Sequence, residues 1–219
     1  MKKYSWIILL VAVLAVGGII YFYNSKQNSN NNYSAERSGL NNISNTDTSN
    51  NTNNNSANFN TKTIVEKEIG AYSTRIQNQR DLNRQGNITI TCTALNNTIV
   101  KSGEIFSFCD TVGQSTRDRG YKEANVIIQG VETKGLGGGN CQVSSTMYNA
   151  VLATSNELEV IERHPHSAPV PYIEEGKDAA VSYGTHDFKF KNNSGSDVKI
   201  IAENTTDNIT IKLIKLIKE

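Results

Sequence analysis

Residues 135–152 read GLGGGNCQVSSTMYNAVL, and the way this stretch folds decides the architecture. Behind the glycines, Val143, Met147, Ala150, Val151 and Thr154 recur at three- and four-residue intervals, which lines one face of an α-helix. Gly137, Gly138 and Gly139 interrupt regular structure before that face begins, so a helix is expected from Cys141 to about Thr154. Strand-like stretches follow at Leu158–Arg163, Ala179–Tyr183, Asp187–Phe190 and Val198–Ala202, with Ile209–Leu213 as the antiparallel partner of the last.

Working towards the N-terminus, residues 126–129 (VIIQ) read as a strand, followed by a polar turn that the 135–139 glycine cluster ends. Residues 104–108, EIFSF, make a short strand after Gly103, with Ile105 and either Phe106 or Phe108 facing inward. Residues 84–99 carry two signals. NITITC is rich in β-branched residues, yet Ile88, Cys92, Leu95 and Ile99 form a helical stripe, which favours a helix with Asn87 near its N-cap. Residues 62–70 alternate in part and read as a strand. The expected class is therefore α+β, a single domain with a central helix packed on a mostly antiparallel sheet.

The rest of the chain has a different composition. Residues 6–23, WIILLVAVLAVGGIIYFY, carry no charge, and eighteen helical residues at 1.5 Å each span roughly the hydrocarbon core of a bilayer. Gly17-Gly18 leads into bulky residues rather than a small-residue cleavage site, so residues 1–26 are expected to be an uncleaved signal-anchor. Lys2 and Lys3 before the run, against Lys26 closely after it, put the N-terminus inside and the remainder outside a single-pass membrane anchor. Fifteen of the thirty-seven residues from 24 to 60 are Asn, a composition unable to bury enough apolar surface to fold. Residues 27–61 are expected to be a disordered linker, which leaves 62–219 for an extracytoplasmic domain. Beyond residue 60, eighteen basic residues stand against nineteen acidic ones, which argues against nucleic acid as a partner.

One constellation in the domain carries chemistry. Cys141 opens a helix, where unpaired backbone N–H groups and the dipole favour a thiolate, and the glycines before it allow close approach. The strand ending at Arg163 runs into His164-Pro165-His166-Ser167, and Pro165 keeps both imidazoles in an extended segment. A thiol at a helix start and a histidine after a following strand is the order a thiol–imidazole pair needs. Asp178, in GKDAAVSYG, is the candidate to orient the imidazole, with Asp187 as a second candidate. The alternative is a buried cysteine behind a glycine turn with histidines that merely follow a strand. Cys141, His164, His166 and Asp178 are also zinc-ligand types, but no C-x-x-C or H-x-x-x-H pair is present, so neither metal nor cofactor is expected. Arg117 or Arg119 is available to meet a substrate carboxylate. In an oxidising setting, Cys92 and Cys109 can close a loop of about eighteen residues, leaving Cys141 free.

The strings FSFCDTVGQSTRDRGYKEANVIIQG, GLGGGNCQVSSTMYNAVL, ERHPHSAPVPYIEEGKDAAVSYG and DFKFKNNS, in this order, closely resemble the VanW family over about residues 84–202. By position, the family's glycine–cysteine motif falls on Gly137, Gly138, Gly139, Cys141, Gln142, Ser144 and Ser145. Its histidine–serine motif falls on His166 and Ser167, with His164 less characteristic. The G-x-D-A motif falls on Gly176, Asp178 and Ala179, and the R-G-Y element on Arg119 and Gly120. Cys109 departs from the Asn usual after F-S-F. The resemblance implies a Gram-positive cell-envelope setting and a name tied to glycopeptide (vancomycin) resistance, without supplying a reaction. Two classes of function stay open. One is a Cys-dependent hydrolase or transpeptidase-like enzyme acting on peptide or amide bonds of peptidoglycan or its precursors. In that case Cys141, His166, Asp178 and His164 are the catalytic candidates, while Gly137, Gly138, Gly139, Gln142, Ser144, Ser145, Arg119 and Ser167 are candidates for substrate binding. The other is a non-catalytic peptidoglycan- or envelope-binding module.

Overall fold

A computed structural model of the chain describes residues 63–128 and 131–219. The expected anchor and linker, residues 1–61, lie outside the described residues. Among those described, no helix is long and apolar enough to cross a membrane.

The domain is α+β, and among the described residues all ladders are antiparallel. A four-stranded sheet has the order β1 (Ile64–Arg75), β9 (Asn208–Lys218), β8 (Asp197–Asn204), β2 (Ile99–Val100). A three-stranded sheet has the order β3 (Ile105–Ser107), β7 (Lys189–Asn192), β6 (Leu158–Glu162), and β4 (Glu123–Ile128) with β5 (Val131–Leu136) forms a separate hairpin. Among the described residues, three helices complete it: α1 (Leu82–Leu95), α2 (Phe108–Val112) and α3 (Asn140–Leu152).

Period-two burial fixes the large sheet. Val198, Ile200 and Ala202 on β8 and Ile209, Ile211 and Leu213 on β9 all face the core. Each large aliphatic among them contributes roughly 1.5–3 kcal/mol on burial. The stripe of α3, Val143, Met147, Ala150 and Val151, with Thr154 in the turn just past the helix end, is buried against β1 and β9 as its spacing required. The approach is close at Gly70, beside a bulge in β1, where a Cβ would strike the Ala150 carbonyl and the Thr154 methyl.

Several sequence expectations are corrected. Residues 82–95 are helical, but the N-cap is Asp81, whose carboxylate accepts the Arg84 N–H at 3.0 Å. Asn87 lies inside α1, buried, and its side chain bonds the backbone of Lys122 and Gly138. Ile105 faces outward while Phe106 and Phe108 are both buried, because the chain turns into α2 straight after β3. Residues 131–136 are a strand rather than a polar turn. Ala179–Tyr183 forms no strand and takes part only in isolated bridges, His164 with Ala180 and Ser182 with His186. Cys92 and Cys109, which the sequence left able to pair, are both free thiols. Cys92 faces the core from α1, and burial pushes its thiol up to about 12.

Candidate functional site

Helix α3 places Cys141 and also holds the loop that faces it. Its polar face, Ser144, Ser145 and Asn149, is buried and bonds the backbone of residues 177–179. Ser145 Oγ donates to the Cys141 carbonyl at 2.7 Å and accepts the Ala179 N–H at 2.9 Å. Ser144 Oγ reaches the carbonyls of Cys141 and Ala179, and Asn149 Nδ2 donates to the Lys177 carbonyl at 2.7 Å. Buried polar groups of this kind must find partners, and here the partners are loop backbone. Cys141 Sγ consequently lies 3.5 Å from both the N and the O of Val181.

The docked loop carries Asp178. Its Oδ2 accepts from the His166 backbone N–H and sits 2.6 Å from His166 Nδ1, and its Oδ1 accepts from Arg163 at 2.7 Å. Arg163 Nε also donates to the Asp178 carbonyl at 2.6 Å, and the guanidinium lies over the Tyr148 ring of α3. The side chains of His166 and Asp178 are 7% and 9% exposed, so these bonds are shielded from water. Asp178 commits Nδ1, leaving Nε2, which the Tyr172 hydroxyl approaches at 3.5 Å, as the ring nitrogen free to act with Cys141. Burial works to lower the His166 pKa, but the Cys141 sulfur and the Asp178 carboxylate beside the ring outweigh it and raise it above the ordinary value. For Asp178, burial opposes ionisation, yet the bonds from His166 hold its carboxyl below the usual range. Tyr172 is pushed up by burial and by the nearby Cys141, so its phenol keeps its proton.

The structure thus brings Cys141, His166 and Asp178 together in the order thiol, imidazole, carboxylate. A cleft of about 250 Å³ opens beside them, lined by His166, Asp178, Ser167, Val170, Glu174 and Glu175 among others. Ser167 sits on its wall. His164 is elsewhere: its Nε2 bonds Glu162 at 2.9 Å and its ring packs edge-on to His186, 4.5 Å between centroids. Asp187 accepts from Ser107 and from the N–H groups of Cys109 and Phe188, which takes it out of consideration as the orienting carboxylate. Cys109 belongs to that second corner, where burial and Asp187 push its thiol up to about 12.

Other expected contact residues turn out to be internal. Gln142 is buried: its Nε2 donates to Thr74 Oγ1 and the Arg75 carbonyl, and its Oε1 accepts from Arg84 at 2.8 Å. Together with Ser144 and Ser145 it holds the site in place and does not line its surface. Gly137, Gly138 and Gly139 are buried too, and Cβ atoms there would strike Ser115, the strand at Ala124–Asn125, and Ile88 respectively. The glycine run is demanded by packing on α1 and β4, and by the left-handed backbone at Gly139 (φ 119°). Arg119 donates both of its arms to the carbonyls of Val112 and Gln114 at 2.6 Å, closing the end of α2. Among the described residues, no group of three or more His, Cys, Asp or Glu is arranged to hold a metal.

Sequence reading missed three residues here. Arg163 had a signal, a cation three residues before the second strand-end imidazole, but Tyr172 in PVPY and Arg84 in α1 had none, because only the fold brings them near the site.

A family model described as VanW like protein matches residues 83–214, from α1 to β9, which includes the whole constellation. The chain is similar to the uncharacterized protein YoaR of Bacillus subtilis (strain 168), 39% identical over 150 residues, covering 68% of this chain and 48% of that protein. It is also similar to the vancomycin B-type resistance protein VanW of Enterococcus faecalis (strain ATCC 700802 / V583), 32% identical over 123 residues, covering 54% and 44%. The chain spans about half the length of these curated relatives. No solved structure matches it.

Proposed function

The chain belongs to the VanW-like protein family, and on that footing we propose that it is a cell-envelope thiol enzyme acting on peptide or amide bonds of peptidoglycan or its precursors. The observation that carries the reading is the shielded chain from Cys141 through His166 to Asp178, held at 2.6 Å between ring and carboxylate. Residues 6–23 anchor it in the membrane with the domain outside, and the Asn-rich linker gives the domain reach.

In the mechanism, His166 Nε2 takes the Cys141 proton and the thiolate attacks the carbonyl carbon of the bond to be broken. The bond from Asp178 fixes the tautomer with the proton on Nδ1 and stabilises the imidazolium. Among the described residues, the N–H groups of Gln142 and Val143 both turn back to the Gly139 carbonyl, while that of Cys141 has no acceptor. It is the backbone donor aimed at the developing oxyanion, as the first turn of a helix supplies. The imidazolium then protonates the leaving amine as the C–N bond breaks, leaving an acyl thioester on Cys141. Water releases an acid in a hydrolase, and a second amine releases a new amide in a transpeptidase. The relative named for vancomycin resistance is consistent with an envelope substrate.

A binding module is the second reading, favoured by one feature: Cys141 is not among the residues lining the cleft, whereas His166 and Asp178 are. Alkylation separates the two. With iodoacetamide at neutral pH, followed by peptide mapping, Cys141 is expected to react at least ~10-fold faster than Cys109, whose thiol is held protonated, and to lose that advantage in His166→Gln. Equal rates at the two cysteines, or no effect of His166→Gln, would refute the thiol enzyme.

A further inference from the structure

Arg84 is a half-buried cation beside this site whose charge no carboxylate balances. Its guanidinium donates to Gln142 Oε1 at 2.8 Å, and Gln142 directly follows Cys141 in α3. Gln142 is itself held by Thr74 and the Arg75 carbonyl, so the guanidinium is fixed rather than swinging in solvent. The first turn of α1 lies against the glycine turn, since a Cβ on Gly139 would stand 3.5 Å from the Arg84 carbonyl. Among the described residues, no Asp or Glu oxygen lies within 4.0 Å of the guanidinium. The acidic residue nearest in sequence, Asp81, spends its carboxylate on the Arg84 backbone N–H instead.

A partly buried charge normally has a counter-ion, because desolvation otherwise goes uncompensated. Here the partner is a neutral amide, which orients the planar fork and leaves further N–H donors available. The guanidinium also lies on the side of the Tyr172 phenol, whose hydroxyl is 3.5 Å from His166 Nε2.

From this arrangement we propose that Arg84 is the carboxylate-binding residue of the site, so that the substrate is an acyl compound bearing a free carboxylate close to the bond attacked by Cys141. This rests on the thiol reading above and narrows its substrate class. A guanidinium fork matches a carboxylate in a bidentate fashion and sets both register and direction of a bound peptide. Two sources carry this chemistry, a peptide C-terminus near the scissile bond and an acidic side chain.

The test uses the full chain and two alkylating probes that differ by one charge, iodoacetate and iodoacetamide. The rate ratio of iodoacetate to iodoacetamide at Cys141 is expected to fall about five- to tenfold in Arg84→Gln and to be largely retained in Arg84→Lys. The iodoacetamide rate should stay within about twofold, which shows that the pair is intact and the fold unharmed. Cys109 in the same samples is the reference, and its ratio should not move. Protection of Cys141 by N-acetyl-Ala-Ala, lost with its C-terminal amide, assigns the carboxylate to a peptide C-terminus; protection by N-acetyl-glutamate α-amide assigns it to a side chain. An unchanged ratio in Arg84→Gln, or no protection by either acid, overturns the assignment to Arg84 while leaving the thiol reading standing. Slow reaction of Cys141 with both probes in the unsubstituted chain overturns both.

Discussion

Asp178→Asn tests whether the site is built around one buried carboxylate. The substitution keeps the shape and removes the charge and one acceptor. Asp178 accepts from Arg163 at Oδ1 and from the His166 N–H and ring at Oδ2, at 2.6–2.7 Å. An amide has a single acceptor oxygen, so its NH2 must confront either the guanidinium or the His166 donors. Bonds to charged groups contribute about 1.5–3 kcal/mol each, and removing one partner of a buried pair costs about 3–5 kcal/mol. Arg163 keeps 20% of its side chain exposed and can recover some hydration, which places the expected loss at about 3 kcal/mol. For a domain of this size that corresponds to a Tm lower by about 6–12 °C. Urea unfolding followed by circular dichroism measures it, and a cycle with Arg163→Gln should return a coupling of about 1.5–2 kcal/mol, because the second change removes the donor left stranded by the first. The His166 ring, followed by proton NMR of its imidazole, should also titrate at lower pH, since one of the two groups that raise it is gone. A loss below about 1 kcal/mol, or additive effects of the two substitutions, would refute the view that this network holds the loop facing Cys141.

Gly139→Ala should cost about 2–4 kcal/mol, measured by denaturant titration, since a Cβ there meets Ile88 Cγ1 at 2.7 Å and the backbone is left-handed. Acid provides another check at the second corner, where bonds from Lys189 and His164 hold the Glu162 carboxyl down to about 2. A depressed carboxyl contributes stability that is fully present above its unfolded pKa and is lost as pH falls through the folded one. Relative to Glu162→Gln, the unsubstituted chain should therefore lose its advantage between about pH 4.5 and 2, as seen in melting curves across that range.

The sequence by itself determined the helix behind the three glycines, the β8–β9 hairpin and the order thiol, imidazole, carboxylate, because each is written in local periodicity or in chain order. It also pointed to Asp178, as a carboxylate in GKDAAVSYG and in the G-x-D-A motif of the resemblance, with Asp187 as the second candidate. It misread 179–183 as a strand, because Ala179 and Ala180 are held there by Ser144, Ser145 and the His164 carbonyl and not by a ladder. It offered the glycines, Gln142 and the serines as a binding surface, whereas their side chains or missing Cβ atoms face inward. The resemblance favoured His166 over His164, but only the tertiary structure gives the physical reason: the docked loop meets His166 with Asp178, while His164 bonds Glu162. Arg84, fifty-seven residues before Cys141, is likewise singled out only by the tertiary structure. Its meaning lies in the absence of a balancing charge around it, and an absence in space has no counterpart along the chain.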